Sequence, residues 1–332
     1  MTLPAFKLLR TTSLDEALGV LDEHAGESAR TTQVLAGGTD LLPSMRQKLF
    51  EAEYVLDLRL VKELHGIGET EQGIEIGALT TLREIERSQI LQDRYRVLVE
   101  AAGTVASPVI RNMGTIGGNI CLDTRCLWYN QSLAWRKSCG FCIKKDGNLC
   151  HVAPGGTKCW AAFSGDTPPA LLCLNAEIEI ASAVRVRRVS LNDFYTGEGD
   201  NYRKLQPNEL VTRIILPRSS AGYRGAYRKL RVRGSIDYPL AGVAIVMKKI
   251  NGHVDDLRIG ITAVNPAPML VPGLAGLAIS ESSAEQLSEA AADYAARIAR
   301  PLTTSALTPE YRREMIRVFT RRAVGELLAT GN

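Results

Sequence analysis

The stretches "VLAGGTDLL" at residues 34–42 and "RNMGTIGGNI" at residues 111–120 decide how this chain is read. Both are glycine-rich turns. Glycine lets backbone N–H groups approach an anion closely, and successive amides can form a nest around phosphate oxygens. The pyrophosphate of a dinucleotide needs such a cradle. Neither stretch matches GxGxxG or the phosphate-loop lysine pattern, so the residues alone leave two readings open, a pair of tight turns or two halves of a nucleotide site.

The surrounding pattern places both stretches between regular elements. Ser13 begins a helix over "LDEALGVLDEH", with Glu16 three residues on as its capping-box partner. "TTQVLAGGTDLLPSM" reads as strand, glycine turn and a new segment, and "EYVLDL" and "GIEIGALT" as further strands. Helical patterns are expected at 81–91 and 94–106, and "AEIEIAS" with "RVRRVSL" as an antiparallel hairpin charged on one face. Pro, Ser and Gly cluster at 216–227, where a boundary is expected. Beyond it, two strands join at Asn251-Gly252, and two helices follow, the last with Thr308 as cap and Pro309 in the first turn.

The 332 residues are enough for two or three domains with a substantial core, and a net charge of +4 is too small to imply nucleic acid. The N-terminus lacks the pattern of a secretion signal, and no apolar run is long enough to span a membrane. A cytoplasmic protein is expected, in which clustered cysteines are more often metal ligands than disulfides. The point matters because six of the seven cysteines, and all three tryptophans, fall between Cys121 and Trp160. Cys173, in "ALLCLNAEIEI", reads as a core thiol.

The wording of the two loops, together with "GDTPPALLCLNAEIEI" and "RKLRVRGSIDYPLAGVAI", resembles the flavin-binding subunits of the molybdenum hydroxylase family, which includes xanthine and carbon monoxide dehydrogenases. The resemblance covers nearly the whole chain. It implies an α+β protein: a two-subdomain FAD-binding fold of the vanillyl-alcohol-oxidase/PCMH type (1–57 and 58–217), then an α+β domain over 218–332 with an antiparallel sheet and helices. It further implies that Val34, Leu35, Ala36, Gly37, Gly38, Thr39, Asp40 and Leu41 hold the FAD pyrophosphate and ribityl chain with Thr115, Ile116, Gly117, Gly118 and Asn119. Asp166 matches an aspartate that contacts the flavin nucleotide, Lys229 a lysine near the isoalloxazine ring, and Val105 a residue packed near it. Such a lysine suits a place where reduced flavin carries negative charge.

Relative to ordinary members, about forty residues intervene from near Leu122 to Ala162. This insert resembles that of the flavin subunit of the 4-hydroxybenzoyl-CoA reductase type, where it binds a [4Fe–4S] cluster. The matching ligands are Cys126, Cys142, Cys150 and Cys159, at spacings of 16, 8 and 9, with Cys121 and Cys139 left over. By spacing alone, four thiolates suit zinc or an iron–sulfur cluster equally well, and His151 could also serve zinc. A flavin in the same chain favours the cluster, because zinc passes no electrons, and the tryptophans suit a shielded one.

The resemblance thus implies an electron-transfer subunit with FAD and one [4Fe–4S] cluster, in a hetero-oligomer (a dimer of heterotrimers). Its partners would be a molybdopterin-binding large subunit and a small [2Fe–2S] subunit. The complex would reductively dehydroxylate 4-hydroxybenzoyl-CoA to benzoyl-CoA with reduced ferredoxin as donor, and no residue of this chain would do substrate chemistry. Lys137, Lys144, Lys145 and Lys158 of the insert would steer an acidic donor by charge. Two other readings stay open. One is the flavin subunit of an oxidative hydroxylase passing electrons to NAD or quinone, with structural zinc in the insert. The other is a non-enzymatic scaffold with a zinc-binding interaction module.

Overall fold

Parallel strands need a crossover between them, and the helical pattern after Ser13 supplies one. In the computed structural model, which describes residues 2–25, 32–277 and 283–329, strands β1 (Lys7–Arg10), β2 (Thr32–Leu35) and β3 (Tyr54–Asp57) form a parallel sheet of order β1-β3-β2. Helices Leu14–His24 and Leu41–Arg46 make the crossovers. Ser13 Oγ accepts the Glu16 amide at 3.2 Å as expected, but the return arm of the capping box differs. The Glu16 carboxylate takes the amide of Thr12, at 2.8 Å, instead of that of Ser13.

The middle sheet is antiparallel. Strands β4 (Ile67–Glu69), β5 (Gly73–Gly77), β6 (Glu177–Ala181), β7 (Val186–Ser190) and β8 (Leu210–Pro217) lie in the order β4-β5-β8-β6-β7. Strict alternation gives it two unlike faces. Ile74, Ile76, Ile178, Ile180, Ile214 and Leu216 are buried in the main core, while Glu75, Glu179, Arg188 and Arg213 form an ion-pair ladder on the other side. The β6–β7 hairpin forms as its sequence predicts, and its charged outer strand guards the sheet edge. Residues 78–176, between β5 and β6, carry the second glycine loop, the cysteine-rich insert and Asp166. The two helices expected at 81–91 and 94–106 are three: Leu82–Arg87, Gln89–Arg94 and Arg96–Gly103. Ser88 is extended at ψ 113° and breaks the first, and Tyr95 leaves helical geometry at ψ 43° and sets the start of the third.

The C-terminal sheet, β9 (Arg224–Leu230), β10 (Ala241–Ile250), β11 (His253–Thr262) and β12 (Met269–Leu270), is antiparallel in the order β12-β11-β10-β9. Asn251 and Gly252 both have positive φ, 51° and 83°, which the tight β10–β11 turn requires. Helices Ala284–Ile298 and Pro309–Ala329 cover this sheet, capped by Ser283 and Thr308. Their apolar faces and the sheet share one core. The fold is therefore α+β, as the sequence implies.

One buried acid secures the lip of the middle sheet. Glu209, 2% exposed, accepts from Arg187 at 2.8 Å, Arg185 at 3.2 Å and the Gln206 amide at 3.0 Å. Its carboxyl is held below the ordinary glutamate value, chiefly by the Arg187 hydrogen bond. A depressed carboxylate stabilises the fold above the unfolded-state value and loses that contribution as pH falls through the native one. Glu209→Gln is expected to cost about 1–2 kcal/mol at neutral pH, discounted for the exposed arginines. In urea titrations the gap from wild type should close below about pH 4, and a gap independent of pH would refute the assignment.

Candidate functional site

The first glycine stretch leaves β2 and turns into the helix Leu41–Arg46. Gly38 makes the turn at φ 72°, a conformation that side chains resist. Gly37 has a different constraint. A Cβ there would stand 1.8 Å from the Met113 carbonyl oxygen and 2.6 Å from its carbon, so this glycine is where the two loops touch. Thr39 is exposed at the tip, and Asp40 accepts from Tyr238 at 2.6 Å and Arg125 at 3.0 Å.

The second stretch runs into the short helix Ile116–Ile120, with Thr115 as its cap. Its amides are already engaged. Ile116 donates to Thr80 O at 3.0 Å, Gly117 to Ala78 O at 2.9 Å, Gly118 to Thr115 Oγ1 at 3.1 Å and Asn119 to Thr115 O at 3.0 Å. The expected nest of amides is thus not displayed by this loop, because docking on residues 78–80 and capping its own helix both consume them. What it presents is the exposed face of Gly118, where an added Cβ would meet only Thr115 Oγ1, at 3.0 Å. Gly117, by contrast, is packed on Ala78.

Asp166 and Lys229 meet in the interior. Their side chains, 4% and 1% exposed, pair at 3.0 Å. Lys229 also donates to the carbonyls of Thr104 and Asp237, and Tyr227 donates to Asp166 at 2.8 Å. The lysine expected near the ring and the aspartate expected at the nucleotide are thus ion-paired with each other, the arrangement that burial of two charges requires. Thr167, next to Asp166, donates twice to Asn119 Oδ1. Val105 lies in the turn after Thr104, and Ala106 accepts the amide of Ile236.

The contacts close into a ring. It runs from Gly37 to Met113, along the second loop to Asn119, through Thr167 and Asp166 to Lys229, then by Asp237 and Tyr238 back to Asp40. Every residue expected from sequence to hold a flavin lies on this ring or directly beside it. Tyr238, Tyr227, Thr104 and Arg125 complete it, and sequence reading did not single them out, although "SIDYPLAG" carries Tyr238.

Beside the ring, Arg125 and Ala162 exchange both backbone hydrogen bonds at 2.8 Å, closing the insert at its base. Arg136, buried, donates to the carbonyls of Gln47 and Lys48, and Leu49 packs on Tyr129, Cys126 and Cys142. The insert thus grips the segment that follows the first glycine loop. Within it lies a cavity lined by Cys126, Cys142, Cys150 and Cys159, with Trp128, Lys144 and His151 among its other walls. Cys121 and Cys139 do not line it. Burial pushes the Cys126 thiol up to about 11 and the Cys159 thiol up to about 12. All seven cysteines are free of disulfides.

Among the described residues, no three His, Cys, Asp or Glu side chains converge closely enough to hold a metal ion. His151 donates from Nε2 to Phe141 O and stacks on Trp128 at 4.3 Å. Only Trp128 of the three tryptophans walls the cavity, and Trp135 and Trp160 are partly exposed. The steering lysines also need correction. Lys144 is buried in an ion pair with Asp123, Lys158 pairs with Glu198, and Lys145 lies beside Asp146, so of the four Lys137 alone points to a plainly exposed surface without a described ion-pair partner.

A small parallel sheet and a larger antiparallel one are joined by two touching glycine loops. Residues 4–219 match the family described as the FAD binding domain in molybdopterin dehydrogenase, and residues 225–327 match the CO dehydrogenase flavoprotein C-terminal domain. The chain belongs to this family of FAD-binding molybdopterin dehydrogenase flavoproteins. It is 28% identical over 321 residues to the carbon monoxide dehydrogenase medium chain of Hydrogenophaga pseudoflava, covering 97% of this chain and 96% of that one. It is 28% identical over 324 residues to the glyceraldehyde dehydrogenase medium chain of Sulfolobus acidocaldarius, covering 98% and 99%. Among solved structures, it superposes on a chain of reconstituted CO dehydrogenase from Oligotropha carboxidovorans with a TM-score of 0.78, 28% identity and full coverage of both chains. Among the described residues, no helix is long and apolar enough to cross a membrane.

Proposed function

We propose that this chain is the FAD-carrying electron-transfer subunit of a molybdenum hydroxylase, and that its insert holds a [4Fe–4S] cluster through Cys126, Cys142, Cys150 and Cys159. The cavity walled by those four thiols, and by neither of the other two cysteines nearby, carries the second half of this reading. The partners of the reading are a large molybdopterin-binding subunit and a small [2Fe–2S] subunit.

The chain's own part is to bind and to hold. Residues 34–41 and the open side of the 115–119 loop would seat the FAD pyrophosphate and ribityl chain, with Thr39 and the outer face of Gly118 towards the ligand. Asp166 and Lys229 act as a neutral buried strut between the second loop and β9, with Val105 in the adjoining turn. Bound FAD exchanges electrons singly or in pairs, which lets it join one- and two-electron partners. Cys126 and Cys159 are protonated thiols at neutral pH without metal, so taking up iron releases their protons and weakens as pH falls.

Two directions of electron flow fit this subunit. The relatives named above are dehydrogenases, which supports the outward flow of an oxidative hydroxylase, to an acceptor such as NAD or quinone, better than the inward one. Reduction of 4-hydroxybenzoyl-CoA with ferredoxin as donor rests on the insert alone.

The test is composition of the anaerobically purified complex. One cluster's worth of iron and sulfide is expected beyond the [2Fe–2S] content, together with FAD. Serine at any of the four cavity cysteines should remove most of that extra iron, whereas Cys121→Ser and Cys139→Ser should retain it. Wild-type protein without the extra iron would defeat the cluster reading. Reduction of the flavin by substrate and its reoxidation by NAD or a quinone would establish outward flow, and rapid reduction by a low-potential one-electron donor but not NADH would establish inward flow.

A further inference from the structure

We propose that Lys144 and Asp123 form a buried charge pair that sets the reduction potential of the centre held in the four-thiol cavity. The inference rests on the cluster reading above and adds to it the residues that tune the site. Lys144 is 6% exposed and Asp123 11%, and their ends are 2.8 Å apart. The ammonium also donates to Thr124 Oγ1 and Gly199 O, both at 2.6 Å. The rings of Tyr129 and Tyr202 flank it with centroids at 4.8 and 5.5 Å.

The pair is wired to the thiols by position. Lys144 walls the cavity together with all four cysteines. Asp123 lies three residues before Cys126. Gly199, whose carbonyl holds the ammonium, packs so closely on Cys159 that an added Cβ would stand 2.7 Å from Sγ. The Lys144 ammonium has three protons, and Asp123, Thr124 and Gly199 account for all of them. Its influence on the sulfurs is therefore through-space charge, without an N–H···S bond.

Reduction adds one negative charge to a cluster whose potential follows local charge and solvent exclusion. A buried cation favours the reduced state and a buried anion opposes it, undamped by water. A buried ion pair adds little net stability compared with apolar residues of the same size, so stability alone does not account for the pair.

The experiment is an EPR-monitored redox titration of the anaerobically purified complex. Asp123→Asn should raise the midpoint potential of the [4Fe–4S] signal, because it leaves Lys144 uncompensated. Lys144→Met should lower it, and the double variant should return towards wild type. Opposite shifts that cancel are the mark of charge, since a packing defect has no reason to change sign with the residue. If one single variant loses its iron, the sign of the other's shift decides. Unmoved potentials, shifts in the same direction, or loss of iron from both single variants would overturn the proposal in favour of a purely structural pair. Failure of the underlying reading looks different: wild type itself would then show no [4Fe–4S] signal and no iron beyond the [2Fe–2S] content.

Discussion

Gly37→Ala is expected to cost the protein its flavin and more than about 3 kcal/mol of stability, a large effect for one methyl group. Overpacking in a core usually costs about 1–3 kcal/mol, because a side chain can yield. Here the new Cβ would lie 1.8 Å from a backbone oxygen and 2.6 Å from the carbonyl carbon of Met113, and neither can rotate away. The two glycine loops would have to part, and the cradle they form together would open. Gly118→Val is the contrast. Its Cβ would meet only Thr115 Oγ1, so that variant should fold like wild type and be depleted of FAD by bulk on the ligand side. Flavin content by absorbance, with urea unfolding of each variant, checks the pair. Gly37→Ala protein of wild-type stability, or Gly118→Val protein with full FAD, would reverse the roles given to the two glycines.

Arg312→Met is the second large effect. Arg312 is wholly buried in the helix Pro309–Ala329, and its guanidinium donates to Leu240 O at 2.8 Å, Leu302 O at 2.9 Å and Ala263 O at 2.6 Å. Burial alone lowers its pKa to about 10. The arginine ties the last helix to the start of β10, the end of β11 and the segment at Leu302. That segment in turn supports the insert, since Thr304 O accepts the Leu127 amide at 2.8 Å. Methionine fills the space but leaves the Leu240 and Ala263 carbonyls without their donor, at about 1–3 kcal/mol each, while Leu302 O keeps the Thr304 amide at 2.7 Å. Recovered desolvation of the charge offsets part of this, and a net loss of about 2–4 kcal/mol is expected. Arg312→Lys should fall between the two, because a point charge cannot span three divergent carbonyls. A stability loss by urea unfolding of less than a quarter of that size for Arg312→Met would show that the carbonyls find other partners.

Much of the fold was legible because its signals are local. Period-two alternation marked the β6–β7 hairpin, Asn251-Gly252 marked the β10–β11 turn, and Ser13 and Thr308 marked helix starts. Where local signals compete, reading failed in small ways. Glu16 reached Thr12 instead of Ser13, and Ser88 and Tyr95 broke what periodicity joined into two longer helices.

Residue types and order by themselves marked the two glycine loops and the cysteine-rich stretch worth suspecting, since composition and short-range pattern carry that information, and the α+β class followed from the family those loops resemble. Only the tertiary structure decided what each residue faces. It paired Lys229 with Asp166, buried Lys144 against Asp123, spent the Ile116 and Gly117 amides on residues 78–80, and gathered Cys126, Cys142, Cys150 and Cys159 around one cavity while excluding Cys121 and Cys139. These are contacts between segments tens of residues apart. They arise because a charge or an amide taken out of water must find a partner wherever the chain folds back, and no local pattern records where that will be.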